Sequence, residues 1–220
     1  MIIIGIDPSL SSTAVTIHKN NENIYYSYTN SKPNYRWVKS VNDIINFKHH
    51  EYKSIDDYSE SETDKISIYD EVTDKVVEDI FNNINGEKTK IYIEGYSYSA
   101  KSGRLIDLVT FSTLLRFKLL KKSNITLYVI PPSSFKKYIA EMLYPPDKKG
   151  VYRNESGKAG GSFDKKDMME CLLKFDLDDI YFNYLVENKD EILKNKNIPK
   201  PFDDVNDSLL LVIYGLKLIN

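Results

Sequence analysis

Four carboxylates in this sequence stand where a carboxylate has few ordinary explanations. Asp7 closes the apolar run IIIGID, Glu94 closes KIYIE, and Asp204 and Asp207 open the segment DDVNDSLLLVIYGLKLI. A continuous apolar run of this length reads as a strand buried on both faces, and an acid at its end needs a charged or metal partner once water is removed. Asp204 and Asp207 are three residues apart, a spacing that puts both on one side of a helix and aims them at a common point. A helix start also attracts acids through its exposed amides, and that capping role is assigned to Asp203. Capping does not account for Asp207, which begins an apolar run. Carboxylates gathered together repel unless a cation lies between them, and an all-oxygen donor set suits Mg2+ or Mn2+ better than zinc. None of the three histidines lies in these motifs. Two such ions about 4 Å apart can activate a water and stabilise the leaving oxygen of a phosphodiester.

The elements that must position these acids follow from the hydropathy pattern. After the first strand, residues 8–12 form a polar turn, residues 13–18 alternate as the return strand of a hairpin, and residues 24–28 form a third strand. Residues 31–62 show no sustained period and are expected to be an irregular or partly ordered insertion. Ile66, Tyr69, Val72, Val76, Ile80 and Ile84 recur at three or four residues and predict an amphipathic helix, stopped by Asn85 and Gly86. The buried strand 90–94 follows, then a polar loop and a long apolar-striped helix over 104–122. Residues 125–130 form another strand. Ser133 or Ser134 is expected to cap a short helix reaching Met142. The proline-, glycine- and lysine-rich stretch 144–162 is expected to be a mobile loop. Helices are predicted over 164–175, around 185–193 inside a charged insertion near 176–200, and from Asp203 to the end. Strand, helix, strand with long crossovers predicts parallel pairing and an α/β layer fold.

Bulk properties bound the function classes. The chain has 220 residues, 41% of them hydrophobic, and is expected to form one domain. No stretch approaches the roughly 20 apolar residues of a bilayer crossing, and the start lacks the basic flank of a secretion signal, so an intracellular, cytoplasmic protein is expected. The lone Cys171 excludes an intrachain disulfide and reads as core filler. The net charge of -2 conceals an uneven distribution: residues 43–87 hold 4 basic and 13 acidic residues, whereas residues 88–174 hold 17 basic and 8 acidic. A basic surface of that size suits a polyanion.

The motifs IIIGIDPSLSSTAVTI, YIEGYSY and DDVNDSLLLV, in this order, resemble those of RuvC-type Holliday junction resolvases of the ribonuclease H-like superfamily, in the divergent form found in bacteriophages and large DNA viruses. The resemblance implies a ribonuclease H-like α/β fold with a central mixed five-stranded sheet flanked by helices. It implies that Asp7, Glu94, Asp204 and Asp207 hold two Mg2+ ions per site, with Mn2+ able to substitute and no small-molecule cofactor. It also points to Lys136 and Lys165 as basic groups near the scissile phosphate, with Lys137 and Lys166 adjoining them. The aromatic expected three residues after Glu94 is Ser97 here, so either Tyr96 or Tyr98 is left to stack on an unpaired base. Lys101, Arg104 and Lys158 are expected to hold backbone phosphates.

The activity so implied is structure-selective hydrolysis of branched DNA, four-way junctions above all, by a homodimer that makes two symmetric cuts. The helix over 104–122 is the expected interface. Three other readings compete. An actin-like kinase or ATPase also opens with a strand, an Asp and a Ser/Thr turn, but it would need a second phosphate motif, and DDVNDSLLLV would have no role in it. A noncatalytic DNA-binding relative would lack one of the acids. A third possibility is a nuclease of the same fold that cuts RNA or other replication and packaging intermediates.

Overall fold

Strand β1 (Ile2–Asp7) lies inside a six-stranded mixed sheet ordered β4-β3-β2-β1-β5-β6. The strands are β2 (Ser12–Lys19), β3 (Glu22–Thr29), β4 (Ile45–His49), β5 (Thr89–Glu94) and β6 (Ile125–Ile130). β2 pairs antiparallel with both β1 and β3, while β5 and β6 continue the sheet parallel to β1 on its other side. The structure is a computed structural model and describes residues 1–52, 55–96 and 102–218, with side chains from Leu105 onward in the last stretch.

The two-residue period of β1 divides the molecule. Ile2, Ile4 and Ile6 pack into one core beneath helices α2 (Tyr58–Ile84) and α3 (Ser102–Leu120). Ile3, Gly5 and Asp7 face the opposite way, toward α4 (Pro132–Leu143), α5 (Lys165–Leu172), α6 (Ile180–Leu193) and α7 (Phe202–Lys217). Asp7 is therefore delivered to the α7 side by the same alternation that buries the isoleucines.

Gly5 lets α7 come close. A Cβ at Gly5 would lie 1.9 Å from the carbonyl oxygen of Ser208, so the helix backbone rests directly on the strand. At the far end of the helix a Cβ on Gly215 would meet the ring of Tyr92 at 2.4 Å. Between these points Thr16, opposite Gly5 on β2, shares a 2.7 Å hydroxyl hydrogen bond with Ser208. Tyr181 of α6 donates to the side-chain oxygen of Asn206 at 2.7 Å.

Several expectations need correcting. The stretch 31–62 is built rather than irregular: it holds the short helix α1 (Arg36–Lys39) and β4, which pairs parallel to β3 and makes the sheet six-stranded instead of five. α2 starts at Tyr58, where the Asp57 side chain accepts from the Glu60 amide, and it leaves Ile66 exposed. Neither Ser133 nor Ser134 caps α4; Pro131 occupies the cap with Pro132 starting the helix, a position where a missing N–H costs nothing. Asp203 does not cap α7, whose N-cap is Pro201; its carboxylate accepts from the Asp204 amide instead. The stretch 144–162 is an ordered excursion. Bridges Pro146–Tyr152 and Arg153–Ala159 close it, and Asn154 accepts from the Lys158 amide while donating to Asp167. Cys171 is buried in the core as expected.

Candidate active site

The acids converge at the carboxyl ends of β1 and β5. Ile6 and Ile93 are register partners in the parallel pair, so the residues after them, Asp7 and Glu94, leave the sheet side by side on the α7 face. α7, seated over Gly5, brings Asp207 to the same point, with Asp204 one helical turn earlier. One oxygen from each of Asp7, Glu94 and Asp207 lies within 4.8 Å of the others. Asp7, Asp204 and Asp207 are 4%, 3% and 1% exposed.

Lys165, the first residue of α5, supplies the balancing charge. Asp164 caps that helix and forms a capping box with Asp167, which fixes the direction in which Lys165 leaves the backbone. Its Nζ lies 2.6 Å from Asp207, 3.1 Å from Asp7 and 3.6 Å from Asp204. Lys136 of α4 donates to the carbonyl of Phe163 at 2.8 Å and lies close enough to Glu94 to favour its ionised form.

Burial and mutual repulsion dominate the electrostatics. Desolvation raises Asp7 well above the usual carboxylate range, reinforced by Glu94, Asp204 and Asp207 and opposed by Lys165. Glu94 is raised by burial and then by Asp207. The neighbouring Asp7 side chain and the Lys165 and Lys136 ammonium groups offset part of that rise. Burial disfavours the charge on Lys165, but Asp207, Asp7, Asp204 and Glu94 outweigh it and hold the ammonium well above its ordinary value. A divalent cation would relieve the same repulsion, and the donors fit one. They are all oxygens, three of them converge, and Oδ1 of Asp207 is buried with no hydrogen-bond partner among the described residues.

The remaining predicted positions divide. Lys165, and not Lys166, faces the carboxylates; Lys166 donates to the Leu193 carbonyl at the end of α6. Lys137 is exposed on α4. Lys158 is held by Asp164 and Asp167 at 2.7 and 2.5 Å, so it buttresses the start of α5. The Tyr96 hydroxyl bonds Thr113 at 2.8 Å, and the Arg116 guanidinium stacks 4.4 Å from its ring centroid, which engages one face of that tyrosine within the protein. Tyr98 and Lys101, like the Arg104 side chain, lie outside the described residues.

Two residues at the site escape sequence reasoning. Arg116 of α3 donates to the Glu94 carbonyl at 3.3 Å. Lys200 pairs with Asp203 at 3.1 Å and with Asp204. A signal existed for each: Arg116 interrupts the apolar run LLRFKLL, and Lys200 stands four residues before Asp204.

Fold and site together define a class: an α/β fold built on a mixed six-stranded sheet, with an acidic cluster at the carboxyl ends of its two central parallel strands. No protein-family model matches the sequence, and no curated protein matches it. Solved structures similar to it include Thermus thermophilus RuvC in complex with a Holliday junction substrate, at 10% identity and TM-score 0.47, covering 99% of this chain and 96% of that one. The yeast mitochondrial Holliday junction resolvase Ydc2 is similar at 12% identity and TM-score 0.46, covering 96% and 75%. The human cytomegalovirus terminase nuclease domain is similar at 11% identity and TM-score 0.36, covering 99% and 83%.

Proposed function

We propose that this protein is a divalent-metal-dependent endonuclease that cuts branched DNA, four-way junctions in particular. The observation that carries the reading is the convergence of Asp7, Glu94 and Asp207 within 4.8 Å at the strand ends, with Asp204 a turn away. The motifs that resemble RuvC-type resolvases fall on those same residues, and the resemblance extends the reading to products bearing a 5′-phosphate and a 3′-hydroxyl.

In this reading Asp7, Glu94, Asp204 and Asp207 hold two Mg2+ ions, for which Mn2+ can substitute. When bound, such ions supply an activated water and charge stabilisation at the phosphate. Lys165 counters the charge of the carboxylates and, from the rim of the cluster, can contact a non-bridging phosphate oxygen. Lys136, anchored on Phe163, adds a second positive group beside Glu94. Arg116 fixes the backbone on which Glu94 sits.

Symmetric cleavage needs two sites, and a homodimer provides them. α3 presents Ile106, Phe117 and Leu120, each more than half exposed and spaced along one stripe, as the surface for a second copy. Among the described residues no helix is long and apolar enough to cross a membrane. An intracellular site of action accords with a DNA substrate.

The direct test is incubation of the purified chain with a labelled four-way junction and Mg2+. Wild-type protein is expected to make paired nicks near the branch point. Asp7→Asn should lower the rate by about 10³-fold or more, the scale seen when a key electrostatic group is removed, while leaving junction binding intact. Undiminished cleavage by Asp7→Asn would sink the mechanism.

A further inference from the structure

Lys200 differs from the other lysines of the site in where it comes from and what it touches. It leaves the connector between α6 and α7 and turns back onto the first turn of α7. Its ammonium lies 3.1 Å from Asp203 and in direct contact with Oδ2 of Asp204, while Oδ1 of Asp204 faces Lys165 at 3.6 Å. Both oxygens of Asp204 therefore face an ammonium. The other three acids are arranged differently, since their oxygens converge on one another and Asp207 keeps an oxygen with no partner among the described residues. Among the described residues, Asp204 is not part of that converging group.

Lys200 also has somewhere else to go. Its side chain is 29% exposed and lines an open cleft of about 380 Å³ with Ser31, Lys32, Asn34 and Tyr35. A tethered ammonium with an alternative, solvated position is a competitor: it neutralises Asp204 when nothing else does and can leave when a stronger cation arrives.

We propose that Lys200 is a resident counter-cation of Asp204 that a second divalent ion must displace, so that the cation sites fill in order. The group Asp7, Glu94 and Asp207 loads first, and the Asp204 side loads second and more weakly. The inference rests on the metal-dependent reading of the cluster and adds to it a lysine that sets the concentration at which the second ion enters. Because the competition is a linkage between two cations, removing one strengthens the other.

The test is a titration of the full chain with Mn2+ in the absence of DNA, with free Mn2+ counted by electron paramagnetic resonance. Wild-type protein is expected to bind one ion tightly and a second at least about tenfold more weakly. Lys200→Met should leave the first affinity within about twofold and tighten the second by about tenfold, within the usual range of coupling between sites. Lys200→Arg, which keeps the charge, should retain the wild-type pattern. Lys200→Gln, which removes the charge but keeps a polar side chain, should tighten the second ion likewise, and it decides the matter if Lys200→Met does not fold. Two equal affinities in the wild type would overturn the proposal. So would a second affinity unchanged or weakened in Lys200→Met, or one tightened equally in Lys200→Arg. A wild-type protein that binds no Mn2+ would overturn the metal-dependent reading itself, an outcome separate from one tight ion that Lys200 does not influence.

Discussion

Lys165 touches three of the four carboxylates and is the cation on which their coexistence depends. Removing one member of a buried charge cluster costs most when it leaves the remaining charges uncompensated. In EDTA, Lys165→Ala is expected to lower the unfolding free energy by about 1–2 kcal/mol, a figure reduced because the lysine is partly solvated. Asp207→Asn removes a repelling charge and should leave stability unchanged or higher. Urea titrations with and without Mg2+ check both, and the Lys165→Ala deficit should shrink when the ion is present. A loss in Asp207→Asn equal to that in Lys165→Ala would mean that packing, not charge, governs the cluster. Asp7, Glu94 and Asp207 were legible in the sequence because each sits against an apolar run that gives it no ordinary reason to be there, and Asp204 only through its three-residue spacing to Asp207. Lys200 and Arg116 were not, because their roles depend on where a connector and a neighbouring helix fold back, which local pattern does not encode.

At the scale of elements, the seating of α7 on β1 is the contact on which the site geometry rests. Gly5→Ala would drive a methyl into the Ser208 carbonyl, where backbone cannot yield as a side chain can. A loss of about 3 kcal/mol or more in unfolding free energy is expected from chemical denaturation. Weakened Mn2+ binding should accompany it, as Asp207 moves away from Asp7. The end of β4 carries a pH-dependent element. Burial holds the His50 imidazole below its ordinary 6.5, opposed by the Leu10 carbonyl, which accepts from it. The unfolded chain thus takes up a proton more readily than the folded one, so the stability this residue contributes is present above 6.5 and is lost as pH falls through the lower folded value. His50→Gln should flatten the decline in stability between about pH 7 and about pH 5. β1, β5 and α7 were readable because continuous apolar runs identify elements buried on both sides. β4 was not, since the edge strand INFKH buries only Ile45 fully and looks like loop. The ordered excursion after α4 is hidden for a related reason: Asn154, Asp147 and two backbone bridges order it, with little apolar burial to announce it.

The whole molecule presents a basic middle segment and an acidic α2 region under a nearly neutral total. Many of the basic residues are already committed inside the fold, as with Lys118 on Asp70 and Asp74 and Lys174 on Glu155. Counting charge along the sequence therefore overstates what a polyanion would meet. Lys148 and Lys149 are different: they stand exposed at the turn of the ordered excursion, and neither forms an ion pair among the described residues. If they grip phosphates, replacing both with Ala should weaken junction binding without altering the cleavage pattern. It should also reduce the slope of log K against log salt by about 2, close to 1 for each lysine replaced. An unchanged slope would place the DNA on another surface.

Two glycines shape the contact of α7 with the sheet, Gly5 beneath the helix and Gly215 within it. Near the acids the approach of α7 to β1 is set where backbone meets backbone, at Gly5 and Ser208, whereas at Gly215 the helix rests on the side chains of Tyr92 and Ile3. A position without a side chain thus fixes how near the acids can come, and any side chain placed there would push them apart.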